Sequence, residues 1–95
     1  MIKSLRFEWD PAKDAANKRK HGVSFEQAKQ AFYDQQRIMA EDVHHSQNEG
    51  RLFCYGRTQN GILTVRFTMR GDVVRIFGAA YWREGRKIYA EKNNL

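Results

Sequence analysis

From residue 62 to residue 70 the chain alternates strictly. Leu63, Val65, Phe67 and Met69 stand on one parity, and Ile62, Thr64, Arg66, Thr68 and Arg70 on the other. A period of two is the pattern of a half-buried β-strand. Asn60-Gly61 just before it supplies a hairpin turn, since both residues accept the positive φ such turns need. After the Arg70-Gly71-Asp72 turn a further strand is predicted. There Val74, Ile76, Gly78 and Ala80 share one parity, and Val73, Arg75, Phe77 and Ala79 the other. Across 51–57 the parities compete, Leu52 and Cys54 against Phe53 and Tyr55. "RIMA" predicts a short strand before the polar loop "EDVHHSQNEG", and "LRFEWD" is short and aromatic enough for an edge strand.

The period is helical elsewhere. In "DPAKDAANKRKHG", Asp10 is the N-cap, Pro11 takes the first helical position, and Gly22 supplies the left-handed C-terminal residue. Lys18, Arg19, Lys20 and His21 crowd the last turn, where cations suit the helix dipole. Ser24 with Gln27 predicts a capping box, Val23 with Ala28 a hydrophobic staple, and Phe25, Ala28, Ala31 and Phe32 an apolar stripe over 24–33. A short last helix follows Arg83, with Ile88 and Tyr89 as docking residues. The expected fold is one α+β domain spanning 1–95: an N-terminal helical hairpin on an antiparallel sheet of about four strands, then a short C-terminal helix. Phe7, Phe25, Phe32, Leu63, Val65, Phe67, Val74 and Ile76 are the expected core. The helices cover one face of the sheet and leave the other open.

Charge changes the picture of that open face. The chain carries 17 Lys and Arg against 11 Asp and Glu, a net charge of +6. The first 50 residues balance, so the second half carries the whole excess. Within 51–83 every basic residue is arginine: Arg51, Arg57, Arg66, Arg70, Arg75 and Arg83. A guanidinium offers a planar fork of donors that fits phosphate oxygens in pairs and stacks on bases. The surface therefore points to nucleic acid or to a strongly acidic protein. The single cysteine, Cys54, forms no internal bridge and fits a reducing cytoplasm, and no apolar run is long enough to span a bilayer. The start, "MIKSLRFEWD", lacks the apolar stretch of a signal peptide.

Metal and cofactor motifs are not found. His44 and His45 are adjacent, so their side chains diverge, and Cys54 has no C-x-x-C partner. No cofactor is expected. Cleavage of RNA through its 2′-hydroxyl needs none: it needs an in-line 2′-oxygen, stabilisation of the phosphorane charge, and a proton for the leaving oxygen. Arginines serve the second need and an aromatic ring holding a base serves the first. Arg66, Arg75, Tyr81 and Arg83 are the expected catalytic groups; Arg51, Arg57, Arg70 and Trp82 are the expected RNA contacts. Arginine makes a poor acid or base, so the proton carrier is sought among His21, His44, His45, Tyr81, Glu49 or a shifted carboxylate, and composition does not choose among them. Tyr81 and Trp82 read equally well as core aromatics closing the sheet against the last helix. DNA binding by the chain alone is disfavoured, because helix 24–33 is not a basic recognition helix.

The stretch "FEWDPAKDAANKRKHGVSFEQA" (7–28), with Gly56-Arg57-Thr58 and Val74-Arg75-Ile76, resembles the BrnT toxins of bacterial type II toxin–antitoxin systems. The likeness covers about residues 6–90. It implies a RelE-like α+β fold and a metal-independent endoribonuclease that arrests translation. It also implies a cognate, BrnA-like antitoxin that neutralises the toxin and alone carries the complex to operator DNA, with no membrane partner. Many members end the last strand Ser-Ala-Arg. Here Gly78-Ala79-Ala80 stands, a Gly-Ala-x-Tyr-Trp-Arg variant in which Arg83 or Tyr81 is left to take the arginine's part. A toxin-like module that binds antitoxin or nucleic acid without cutting is the alternative.

Overall fold

A computed structural model of the chain describes residues 5–45 and 49–95, so Ser46, Gln47 and Asn48 of the expected loop lie outside the described residues. β1 (Arg6–Trp9) leads into α1 (Pro11–His21). The Asp10 carboxylate accepts the Ala12 N–H at 2.9 Å. Gly22, at φ 69°, ends the helix by donating its own N–H to the Lys18 carbonyl. The capping box of Ser24 and Gln27 is present in both directions, but the helix it opens is short. α2 (Phe25–Ala28) makes one turn and continues as a 3₁₀ segment, Lys29–Tyr33. The expected pair of full helices is thus one helix and a tightened second arm. The reason is contact: the Ala31 carbonyl lies directly against Gly56 and accepts the Cys54 thiol at 3.7 Å. The tighter winding sinks Ala31 and Phe32 onto the strands.

The sheet holds five strands rather than about four, and it is mixed rather than purely antiparallel. β2 (Ile38–Glu41), β3 (Arg51–Thr58), β4 (Gly61–Arg70) and β5 (Val73–Ala80) are antiparallel neighbours. β1 adds to β5 in parallel, giving the order β1-β5-β4-β3-β2. Short turns force antiparallel pairing, but β1 and β5 are joined by most of the chain. Their pairing sets Phe7 beside Val74 and Trp9 beside Ile76, extending the apolar face.

β5 also breaks its own alternation. Arg66 pairs with Gly78 and Phe67 with Ile76, so Phe77 is one residue too many, a β-bulge. The expected face of Val74, Ile76, Gly78 and Ala80 is therefore wrong beyond the bulge. Ala79 turns into the core with Val74 and Ile76, while Gly78 and Ala80 pair with Arg66 and Thr64 on the far face, opposite α1 and α2.

That far face is not wholly open. α3 (Arg83–Lys92) packs across β3 and β4, burying Tyr89 with Tyr55 and Ile62 and packing Phe53 and Ile88 beside them. The competing parities in 51–57 are explained: Leu52 and Cys54 face the main core, and Phe53 and Tyr55 face α3. A strand covered on both sides loses its polar alternation. The main core joins Phe25, Phe32, Leu63, Val65, Phe67, Val74 and Ile76, with Phe7 partly buried at its margin and Phe32 edge-on to Phe67 at 4.9 Å. Removing the largest of these rings would cost about 3–5 kcal/mol.

Candidate active site

β1 stops opposite Ile76, so α1 lies beside the last residues of β5. A cleft of about 440 Å³ opens there, lined by Lys13, Lys20 and His21 of α1, Arg66 of β4, Phe77 of the bulge, and Trp82. Lys13, Asn17, Lys20 and His21 share one helix face by their three- and four-residue spacing. Asn17, buried at the centre of that face, ties α1 to the Ala79 backbone. The Arg66 guanidinium lies over Gly78, where the missing side chain leaves it room. Its Nε is buried and has no hydrogen-bond partner among the described residues. Lys13 Nζ sits 5.1 Å from the Phe77 ring, and the His21 ring meets Trp82 edge-on at 5.6 Å. Among the described residues no carboxylate lines this cleft. The arrangement offers a phosphate three cations, of which Arg66 is seated against Gly78, and places an imidazole beside them.

A second cleft, about 320 Å³, lies on the other side of Trp82 and is lined by Asn60, Gly61, Tyr81, Arg83 and Arg86. The Tyr81 hydroxyl is engaged with Thr58 Oγ1 at 2.6 Å, which holds the end of β5 to the β3–β4 turn. Trp82 stands in the walls of both clefts and is 39% exposed, so it is not the core aromatic that the sequence equally allowed. Tyr81 is likewise exposed. Ala80, in the place of the expected arginine, is buried opposite Thr64.

The other expected arginines are dispersed. Arg75 Nη1 reaches Glu8 Oε2 at 3.1 Å, and Arg70 Nη2 lies 3.8 Å from Glu49 Oε2. Arg51 stacks on Phe77 at 4.2 Å, at the margin of the first cleft. Arg57 lies beyond α3, its guanidinium 5.6 Å from the Tyr89 ring. The expected single row of guanidiniums is therefore divided, by α3 and by neighbouring carboxylates. Arg66 and Trp82 share one cleft with His21; Tyr81 and Arg83 share the other. His45 is held by buried Asp42, Nδ1 to Oδ2 at 2.9 Å, and Cys54 is buried with its thiol pushed up to about 12 by desolvation, which makes it no nucleophile. Among the described residues no three His, Cys, Asp or Glu side chains stand together as a metal site.

Residues 9–85 match the family described as "Ribonuclease toxin, BrnT, of type II toxin-antitoxin system". The chain belongs to the BrnT family. BrnT toxins are ribonucleases of type II toxin–antitoxin systems, and the family implies an antitoxin partner. Among solved structures, the Brucella abortus ribonuclease toxin BrnT superposes with a TM-score of 0.62 over 81% of this chain and 95% of that one, at 18% identity. At that identity the likeness speaks for the fold. No curated protein matches the chain. No helix among the described residues is long and apolar enough to cross a membrane.

In this BrnT-family chain the clefts add groups beyond those expected from the sequence: Lys13, Lys20 and the bulge ring Phe77 in the first, and Arg86 in the second. The signal for the two lysines was present. Lys13, Asn17 and Lys20 recur at helical spacing around a polar residue that α1 buries, whereas the basic run at 18–21 draws attention to the helix dipole instead.

Proposed function

We propose that RNA is cut in the cleft between α1 and the β5 bulge, without a metal ion, and that Arg66 is the group around which the site is built. One observation supports this most: a guanidinium seated on a glycine beside an imidazole and two lysines, with, among the described residues, a buried N–H unpartnered and no carboxylate in the cleft lining. In the reading, Arg66 with Lys13 and Lys20 binds the scissile phosphate and stabilises the charge that grows on it. Trp82 and Phe77 hold a base turned out of its stack, which brings the 2′-oxygen in line. The 2′-oxygen attacks phosphorus, the bond to the 5′-oxygen breaks, and a 2′,3′-cyclic phosphate and a 5′-hydroxyl result. His21 is the proton carrier, because among the candidates it alone lines the cleft with Arg66. Arg83 and Arg86 bind the strand on the other side of Trp82, and Arg51 extends the cationic surface. Arg75, Arg70 and Arg57 have structural or peripheral parts.

In the cell this activity arrests translation in the cytoplasm on a RelE-like scaffold. A BrnA-like antitoxin with an acidic segment would neutralise it by covering the same cations, operator DNA being reached only through the antitoxin. The test is cleavage of a defined RNA by purified protein in excess chelator. Arg66→Ala and His21→Ala each lower cutting by at least about a hundredfold and relieve growth arrest, while Arg75→Ala retains both. Wild-type protein that binds RNA yet leaves it intact would assign the chain to the non-cutting alternative.

A further inference from the structure

Trp82 divides two clefts, and both are cationic. The one beyond it, of about 320 Å³, is lined by Arg83 and Arg86, by Asn60 and Gly61 of the β3–β4 turn, and by Tyr81. Arg83 and Arg86 stand three residues apart on α3, so their side chains rise together. Among the described residues no carboxylate lines this cleft. The opposite wall is fixed by hydrogen bonds. Thr58 has one hydroxyl hydrogen, which goes to the Gly61 carbonyl at 3.1 Å, while its oxygen accepts the Asn60 N–H at 3.2 Å. The 2.6 Å contact with Tyr81 is then donated by the tyrosine. Tyr81 is thereby held as a wall of the cleft.

Two cations on one side of Trp82 thus answer three on the other, Arg66, Lys13 and Lys20. A polynucleotide carries one phosphate per nucleoside, so phosphate seats on either side of a ring leave one nucleoside between them. The indole is 39% exposed and stands where the base of that nucleoside would lie. Every base has a π-face, so stacking there selects no sequence. It does select strandedness. A base inside a duplex is stacked and paired, and one that reaches an aromatic ring of a protein has left its helix. We propose that the cleft of Arg83 and Arg86 is a second phosphate subsite, which takes the phosphate one nucleotide from the cleaved bond. The wedge of Trp82 between the two seats then confines the protein to unpaired RNA. This rests on the reading of the first cleft as the site of the scissile phosphate.

The smallest ligand that tests this is a nucleoside 3′,5′-bisphosphate, a single base between two phosphates. Calorimetry on the full chain compares uridine 3′,5′-bisphosphate with uridine 3′-monophosphate and with uridine 5′-diphosphate, whose two phosphates lie on one side of the base. The bisphosphate is expected to bind at least about tenfold more tightly than either, the least that a second charge-assisted phosphate contact brings. It also shifts the Trp82 indole N–H signal in NMR spectra. Arg83→Ala combined with Arg86→Ala erases the advantage. Arg57→Ala combined with Lys87→Ala, which removes as much charge outside the cleft, keeps it. A short 2′-O-methyl RNA, which cannot be cut, is expected to bind about tenfold more tightly alone than annealed to its complement, the worth of one stacked base. The duplex carries the denser charge and would win on charge alone. Equal binding of the three nucleotides, an advantage that survives loss of both arginines, or a duplex held as tightly as the single strand overturns the proposal. A protein that prefers the bisphosphate but cuts no RNA keeps the second seat and loses the cleavage reading. One that cuts RNA but binds the three nucleotides alike loses the second seat alone.

Discussion

Asn17 holds both backbone groups of Ala79. Its Nδ2 donates to the Ala79 carbonyl at 2.8 Å, and its Oδ1 accepts the Ala79 N–H at 3.1 Å. The other Nδ2 hydrogen reaches the Val23 carbonyl at 2.9 Å. One amide thus does for the end of β5 what a neighbouring strand would do, at the point where β1 has already stopped. Asn17→Ala leaves three backbone groups unpaired in a buried place, where each unmet group costs about 1–3 kcal/mol. A loss of about 3 kcal/mol is expected in urea denaturation. A loss under about 1 kcal/mol would show that water replaces the amide.

Arg66 and Arg75 stand on the same face of adjacent strands but differ in what surrounds them. Arg75 is paired with Glu8 across a distance of 67 residues in sequence, and among the described residues no carboxylate lines the cleft that holds Arg66. Only an uncommitted guanidinium is available to a phosphate. Arg66→Ala should lower the rate of RNA cleavage about 10²–10³-fold, the effect of removing one preorganised donor to a developing charge. Arg75→Ala should lower it less than about threefold, since its guanidinium is engaged by Glu8 and does not line the cleft. Equal losses from both, measured by single-turnover cleavage, would return the site to the single row of arginines that the sequence suggests.

Much of this was legible in the chain. Asp10, Pro11 and Gly22 mark α1 by local chemistry, and the strict alternation of 62–70 marks β4 because one rule, burial of one face, acts there alone. Where two rules act at once the pattern fails. β3 is covered on both sides, so Phe53 and Tyr55 compete with Leu52 and Cys54, and nothing local says that α3 crosses the far face. The bulge at Phe77 is a backbone choice that alternation does not encode. Of the candidate groups, Arg66, Trp82, Tyr81 and Arg83 stand out in the sequence by residue type, and they line the two clefts. The pairing of Arg75 with Glu8 was not, because it follows from the parallel register of β1 on β5.

Gly56 is the point where the 3₁₀ arm touches the sheet. A Cβ built there would overlap the carbonyl and Cα of Ala31, which are backbone atoms that no rotamer change can move. Gly56→Ala is expected to cost more than about 3 kcal/mol, or to prevent folding, since overpacking against a fixed backbone has no cheap relief. Gly50 meets nothing within 4 Å. Gly50→Ala should therefore change stability by no more than about 0.5 kcal/mol, as is usual for open surface positions. Thermal melts of the two variants decide it, and similar melting temperatures would refute the contact.

Asp34 gathers three hydrogen bonds: the Tyr89 hydroxyl donates at 2.6 Å, the Arg57 N–H at 2.7 Å and the Gln36 N–H at 2.9 Å. Burial pushes the carboxyl up, but these donors and the Arg57 guanidinium outweigh it and hold Asp34 below its usual range. A lowered carboxyl stabilises the fold above the ordinary carboxylate range, and that contribution is lost as pH falls through the lowered native value. Tyr89→Phe should cost about 1.5–3 kcal/mol near neutral pH, the worth of a bond to a charged acceptor, and progressively less in acid. The Tyr89 hydroxyl is itself raised, by burial and then by Asp34. Its contribution is present below the ordinary tyrosine value and is lost as pH rises through the raised one. Denaturation midpoints of both proteins across pH give the test; a gap that widens in acid would reverse the assignment.

Cys54 is fully buried, and desolvation raises its thiol from 9.0 to about 12. A raised thiol keeps its full contribution to stability below pH 9.0 and loses it as pH climbs toward about 12, because the unfolded chain ionises first. The thiolate is the reactive form, so at pH 8 the native protein should resist a thiol reagent that labels the guanidinium-unfolded chain within its dead time. Any labelling that occurs must pass through opening of the sheet against the 3₁₀ arm, where the Ala31 carbonyl accepts the thiol. Its rate should then fall with added stabilising salt and rise in Gly56→Ala, tracking the opening equilibrium and not the thiol's own titration. Native labelling as fast as that of the unfolded chain would mean that Cys54 is reachable from solvent, and the packing of the second arm on β3 would have to be redrawn.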